Sequence, residues 1–397
     1  MQNKLLINVS PIRMPLTGIG YYTLNILSEL LSRNVDVVGI RNGKLLTRES
    51  LFELVSNFQS TSADKQSSAN SKKRLFVELL RSIPGTYQLK NYLLSLRVQQ
   101  KLKMAANEGY VYFEPSFVPF DYPGVTITTV HDLSFLSHPE FHPATRVSYL
   151  TNKMQGSIAK SDHVVVDSDF ILNELHTYFP QSKAKSSTLY LGVSDDFQPY
   201  AKEECDELLH SLNIKHNHFI LSVATLEPRK NLSKLIDAYK LLPDAIRNQY
   251  PLVLVGDQGW KNSELMENAS DLVERGQIIF TGYVADNELK HLYTSAATFV
   301  YPSLYEGFGL PVIEAMASGA PVITSNVGAT AEVAATGALL VDPCNEVAIS
   351  DAILKLIQYP EDKAKLAENG IQRASEFKWS NTVEQLLEIV SGTARRA

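Results

Sequence analysis

Short apolar runs alternate with amphipathic stretches along nearly the whole chain, and this alternation is what most limits the fold. In the first half the runs fall at Leu5–Val9, Val35–Ile40, Tyr110–Phe113, Val125–Val130, Val164–Asp167 and Thr188–Tyr190. In the second half they fall at Phe219–Val223, Leu252–Val255, Ile278–Phe280, Thr298–Tyr301, Val322–Thr324 and Ala338–Val341. Runs this short and uniformly apolar read as strands buried on both faces, with the intervening stretches as crossover helices. The pattern predicts an α/β chain with two doubly wound, Rossmann-like parallel sheets. A length of 397 residues suits two domains. The break SDDFQPY at Ser194–Tyr200 puts the boundary there, giving domains 1–196 and 197–376. Two such halves on a hinge predict a cleft between their strand ends, where doubly wound sheets take ligands.

Composition narrows the function classes. A net charge of −6 argues against a general nucleic-acid binder. Cys205 and Cys344 form no metal-ligand spacing and fit a reducing compartment. The opening MQNKLLINVS reads as a first strand rather than a targeting segment. No stretch approaches the roughly 18 apolar residues of a spanning helix, so a cytoplasmic location is expected. Ser56–Ser71 is Ser-rich and polar and reads as a loop.

The segment Tyr301–Thr324 (YPSLYEGFGLPVIEAMASGAPVIT) carries the densest chemistry. Its strand is followed by a Gly-Phe-Gly turn at Gly307, Phe308 and Gly309. A helix is expected over Leu310–Ser318, with Pro311 in its first turn and Gly319 as its stop. The glycines let backbone come close to a ligand, and the unpaired amides of the helix start suit phosphate. Glu314 falls one turn into the helix, in reach of a ribose hydroxyl pair. Glu306 lies in the loop before it, where a sugar on that phosphate would sit. Read singly, each glutamate serves equally well as a favourable charge near the helix dipole.

Other strand ends add to this. FILSVATLEPRKNL (Phe219–Leu232) sets Arg229 and Lys230 in the loop after a strand, where cations can neutralise a leaving diphosphate. Taken alone they are ordinary solvated loop charges. Gly256 ends another strand, either for nucleotide approach or for a tight turn. Near the N-terminus, Gly18 and Gly20 open a helix directly after the first strand, a context for a glycine loop against a diphosphate. That loop lacks the full dinucleotide fingerprint, so a nicotinamide or flavin cofactor is not expected. His131 and Asp132 follow a strand at a crevice rim. Together with His138 and His142 they match no regular zinc spacing, and Asp132 alternatively orders its loop or caps a helix. From Ser71 to Lys103, eight basic residues oppose one acid among interleaved leucines and aromatics. That stretch suits an anionic membrane surface, or equally a solvated helix pair.

The string EGFGLPVIEAMASGAPVI resembles the E-x7-E signature of retaining, nucleotide-sugar-dependent glycosyltransferases of glycosyltransferase family 4, which have the GT-B fold. The likeness covers most of the chain, densest from Phe219 to Asp342. It implies transfer of a sugar with retained configuration, with Glu306, His131, Arg229 and Lys230 at the catalytic centre. It assigns the donor to Gly18, Gly20, Gly256, Val284, Gly307, Phe308, Gly309, Leu310 and Glu314, with backbone at Val284 reading the base, and places Asp132 on the acceptor side. It further implies a C-terminal helix, 377–397, that crosses back to the first domain. The family often carries an arginine where Thr225 stands here, which leaves Arg229 as its substitute. TLEPRKNL with SLYEGFGLPVIEAM resembles bacterial mannosyltransferases of O-antigen and polysaccharide assembly. GDP-mannose is then the first donor and a GDP- or dTDP-deoxysugar the next, with a saccharide or lipid-linked saccharide as acceptor. No metal and no cofactor is implied. The competing classes are a nucleotide-sugar epimerase or phosphorylase on the same fold, and a non-catalytic binding subunit.

Overall fold

The computed structural model describes residues 4–14, 16–33, 35–61, 99–257 and 263–395. They form two compact units. Unit 1 comprises Met1–Asp167, Ile171–Tyr190 and Trp379–Ala397, and unit 2 comprises Ser168–Phe170 and Leu191–Lys378.

Unit 1 is built on a seven-stranded sheet: β1 (Lys4–Asn8), β2 (Asp36–Arg41), β3 (Lys44–Leu46), β4 (Val111–Glu114), β5 (Thr126–Val130), β6 (His163–Val166) and β7 (Ser186–Thr188). Their order across the sheet is β3-β2-β1-β4-β5-β6-β7. All pairings are parallel except β2 with β3. That exception was not expected from the apolar runs. It comes from Asn42-Gly43, both at positive φ (48° and 80°), which close a two-residue hairpin of the kind Asn-Gly favours. The last strand also lies two residues earlier than its apolar run. The helix Gly18–Ser32 packs its Tyr22 against Trp379 of the helix Trp379–Ala394, with ring centroids 6.2 Å apart.

Unit 2 has a six-stranded sheet: β8 (Ile220–Val223), β9 (Leu252–Val255), β10 (Ile278–Gly282), β11 (Thr298–Tyr301), β12 (Val322–Ser325) and β13 (Ala338–Val341). The order is β10-β9-β8-β11-β12-β13, parallel throughout. This is the doubly wound order, and it reverses between β8 and β11. Leu221, Val253, Phe299 and Val322 are fully buried, as strands covered on both faces require. The α/β class with two mostly parallel sheets is thus borne out.

The loop expected at Ser56–Ser71 is corrected at its start, because the helix Arg48–Thr61 runs through it. Leu51, Leu54 and Val55 give that helix a buried face against the sheet, and the polar residues follow on its last turn. The rest of that stretch, and most of the basic stretch Ser71–Lys103, lie outside the described residues. Lys101 and Lys103 are exposed on helical residues 99–107. Among the described residues no helix is long and apolar enough to cross a membrane.

Candidate functional site

In unit 2 the loops that follow β8 and β11 leave from adjacent strands at the point where the winding reverses, the place where such sheets take ligands. After β8 the chain makes a 3-10 turn, Pro228–Lys230, which ends at Asn231 in the left-handed region (φ 59°, ψ 31°). Asparagine tolerates this conformation. Its amide donates to the carbonyls of Pro302 (3.0 Å) and Pro343 (2.7 Å), tying together the loops after β8, β11 and β13. Arg229 supplies its carbonyl to the amide of Leu304 at 2.8 Å. The backbone therefore holds Arg229 and Lys230 against the loop that carries Glu306.

The side chains complete a buried ionic cluster. Glu306 Oε2 accepts from Arg229 Nη1 at 2.6 Å, and Oε1 accepts from Lys230 Nζ at 2.6 Å. Tyr301 Oη and Ser303 Oγ reach Oε1 at 2.8 and 2.7 Å. Lys230 also donates to Tyr301 Oη at 2.7 Å, and Arg229 Nε meets Glu227 Oε1 at 2.6 Å. Burial alone would lift the pKa of Glu306, but Arg229 and Lys230 outweigh it and hold the carboxyl at about 2. Burial, then the neighbouring guanidinium, push Lys230 down from its ordinary value, against the pull of Glu306. Two cations and two carboxylates are thus preorganised at the switch point, with Arg229 the more exposed of the cations. Such fixed charges stabilise charge that develops during a reaction without reorganising.

The helix after this loop is Leu310–Ala317, with Gly309 at its N-cap (φ 105°) and Gly319 beyond its end (φ 77°). A side chain at Gly309 would be strained by that φ and would also meet Thr330 Cγ2 at 3.1 Å. Gly307 and Leu310 are half-buried, while Phe308 is buried and turns its ring onto Phe377, centroids 5.6 Å apart. Glu314 is half-buried and accepts from Tyr293 Oη at 3.1 Å. Val284, just beyond β10, is half-buried. Gly256 has a structural cause of its own: a Cβ there would lie 2.0 Å from the Ala224 carbonyl oxygen.

In unit 1, Gly18 opens its helix with nothing within 4 Å of where a Cβ would stand, whereas Gly20 packs on Leu16 and the Pro11 carbonyl. His131 is buried, bonded to Asp167 and to the Pro115 carbonyl. Asp132 accepts from the amide and hydroxyl of Ser134, at 3.1 and 2.6 Å, which orders its loop. His138 pairs with Glu140 and His142 with Ser134, so the structure does not gather these histidines. Among the described residues no group of three or more His, Cys, Asp or Glu is placed to hold a metal ion.

Sequence reasoning missed Glu227, Ser303, Asp167 and Glu114 and gave Tyr301 no role. The available signal was an acid directly at the end of an apolar run for Asp167 and Glu114, and Glu227-Pro-Arg229 spacing across a turn.

The comparisons agree with this architecture. Residues 206–373 match the family model described as "Glycosyl transferases group 1". The chain is 33% identical over 385 residues to O-antigen chain mannosyltransferase B of Escherichia coli, covering 97% of this chain and 98% of that one. It is 29% identical to O-antigen chain mannosyltransferase RfbU of Salmonella typhimurium, over 90% of this chain and 92% of that one. Among solved structures, Anabaena HepE in complex with UDP and glucose aligns with a TM-score of 0.68 at 18% identity, over 98% of this chain and 99% of that chain. WaaG, a glycosyltransferase involved in lipopolysaccharide biosynthesis, aligns with a TM-score of 0.70 at 16% identity, over 98% and 100%. The chain has the GT-B fold of these structures and belongs to the glycosyl transferases group 1 family.

Proposed function

We propose that this glycosyltransferase moves mannose from GDP-mannose to a saccharide or lipid-linked saccharide acceptor in O-antigen or polysaccharide assembly, with retention of configuration. The observation that supports the reading most is the cluster of Arg229, Lys230 and Glu306 at the switch point of unit 2. When the bond from the sugar's anomeric carbon to the diphosphate breaks, negative charge grows on the departing phosphate oxygens. Arg229 and Lys230 stabilise that charge, and Glu306 keeps both cations in place and orders the donor sugar. Glu314 holds the ribose, and the amides at Gly309 receive phosphate oxygens. No metal is required where the cations do this work. The near full-length similarity to named O-antigen mannosyltransferases favours mannose over a GDP- or dTDP-deoxysugar.

The experiment is a donor panel of GDP-mannose, GDP-rhamnose, dTDP-rhamnose and UDP-glucose, scored by nucleotide release with and without a mannose-terminated acceptor. Acceptor-dependent release of GDP from GDP-mannose, with an α-linked product by NMR, is expected. Release from another donor instead, or interconversion of the donor without acceptor, refutes the assignment. Contact of 71–103 with an anionic membrane belongs to the same proposal. Replacing Lys72, Lys73, Arg74 and Lys101 with glutamine should then free the protein from anionic vesicles at low salt. Equal sedimentation of both proteins would refute it.

A further inference from the structure

The carboxyl ends of four neighbouring strands in unit 1, in the order β1-β4-β5-β6, are linked by buried polar side chains. Asn8 closes β1 and donates to Glu114 Oε2 at 2.8 Å. Glu114 closes β4 and also accepts from Tyr112 Oη (2.5 Å) and from the amide and hydroxyl of Ser116 (both 3.1 Å). These bonds fix the loop that offers the Pro115 carbonyl to His131 Nε2 at 2.8 Å. The other ring nitrogen, Nδ1, lies 2.7 Å from Asp167 Oδ2, directly after β6.

This geometry constrains the proton count. A carbonyl only accepts, so His131 Nε2 carries a proton. The contact between Nδ1 and Asp167 needs a second proton, which sits on the imidazole as the stronger base. This is the bonding pattern of an imidazolium with both N–H groups engaged, on a ring that is 7% exposed. Burial opposes the charge, but the Asp167 charge and bond, the Pro115 carbonyl and the Asp132 charge together raise its pKa. Two aromatic rings pack on it: Tyr22 meets the ring edge-on at 4.9 Å and Phe117 at 5.7 Å. The second oxygen of Asp167, Oδ1, is buried with no hydrogen-bond partner. The described bonding of this carboxylate thus goes to His131 alone.

We propose that Asp167 is a positioning residue for sugar transfer, which holds His131 as a fixed imidazolium at the strand ends of unit 1. The proposal rests on the transferase reading above. It gives His131 the part of a permanent cation rather than a proton shuttle, because neither ring nitrogen has a lone pair to offer.

The test compares the full-length wild type with Asp167→Asn, Asp167→Glu and His131→Asn. With ¹⁵N-labelled histidine, the His131 signals, identified by their loss in His131→Asn, should stay at imidazolium shifts through neutral pH in the wild type. In Asp167→Asn they should titrate about 1–3 pH units lower. With GDP-mannose as donor, kcat of Asp167→Asn should fall about 10-fold or more at pH 8 and recover at pH 6, with KM nearly unchanged. Asp167→Glu should restore much of the wild-type profile. Wild-type His131 titrating near 6.5, or an Asp167→Asn pH profile that overlays the wild type, overturns the proposal. A wild type that turns over no GDP-mannose defeats the donor assignment instead, and the histidine titration still decides the state of His131. Should Asp167→Asn fail to fold, the wild-type titration decides alone.

Discussion

Lys230 and Glu306 are joined at 2.6 Å where each is only 8% exposed, so removing Glu306 leaves the buried Lys230 charge without its carboxylate partner. Glu306→Gln should cost about 3–5 kcal/mol of stability, read as a lower denaturant midpoint. The pH dependence follows from the direction of the shift. The folded pKa of about 2 lies below the ordinary value of 4.5, so the stabilisation is present above pH 4.5 and is lost as pH falls toward 2. The wild type should lose about 3 kcal/mol across that window through this group, and the glutamine variant should not. Parallel acid profiles for the two proteins would contradict the cluster.

Arg229→Ala and Lys230→Ala should depress kcat by about 100-fold or more, with a smaller change in KM, if both cations act on charge that develops as the donor bond breaks. A raised KM with kcat intact would instead make them simple binding residues. Activity should persist after thorough EDTA treatment, and a strict need for added magnesium or manganese would contradict catalysis by these cations alone.

Glu314→Gln keeps an oxygen for the Tyr293 hydroxyl, so it isolates the carboxylate charge. Loss of a charge-assisted bond to ribose should weaken GDP binding by about 1.5–3 kcal/mol, or about 10- to 100-fold, by calorimetry. Unchanged affinity removes Glu314 from the donor site.

Glu114 titrates in the opposite sense to Glu306. Burial raises its carboxyl to about 7, against the hydrogen bonds from Tyr112, Asn8 and Ser116. The folded state then holds a proton that the unfolded chain has released above pH 4.5, so stability declines as pH rises from 4.5 through 7. The melting temperature of Glu114→Gln relative to wild type should climb between pH 5 and pH 8, by an amount equivalent to about 3 kcal/mol. A pH-independent difference would show that Glu114 is ionised throughout.

Most of the fold was legible in the sequence because strands buried on both faces leave uninterrupted apolar runs such as LVLV and TFVY. The hairpin strand β3 was not, since Lys44–Leu46 is too short to show a period and its only signal is the Asn-Gly turn. At the candidate site, residue types and approximate places could be read, but pairing could not. Nothing in the spacing of Arg229 and Glu306 says that they meet, because the contact is made by two loops 77 residues apart that converge only through parallel strand order. Gly256 is the converse case. It looks like a ligand-approach glycine, yet a backbone carbonyl of the adjoining loop already forbids any side chain there.

The short β3 also closes one edge of the unit 1 sheet. Without it, β2 would be the outermost strand of the unit 1 sheet and would present an unpaired row of backbone donors and acceptors to any passing strand. Three antiparallel residues, with Lys44 exposed, cover that row and end the sheet in a form too brief to recruit another chain. Replacing Asn42-Gly43 with residues that resist positive φ would therefore do its harm between molecules, as self-association during expression, before any harm to sugar transfer became measurable.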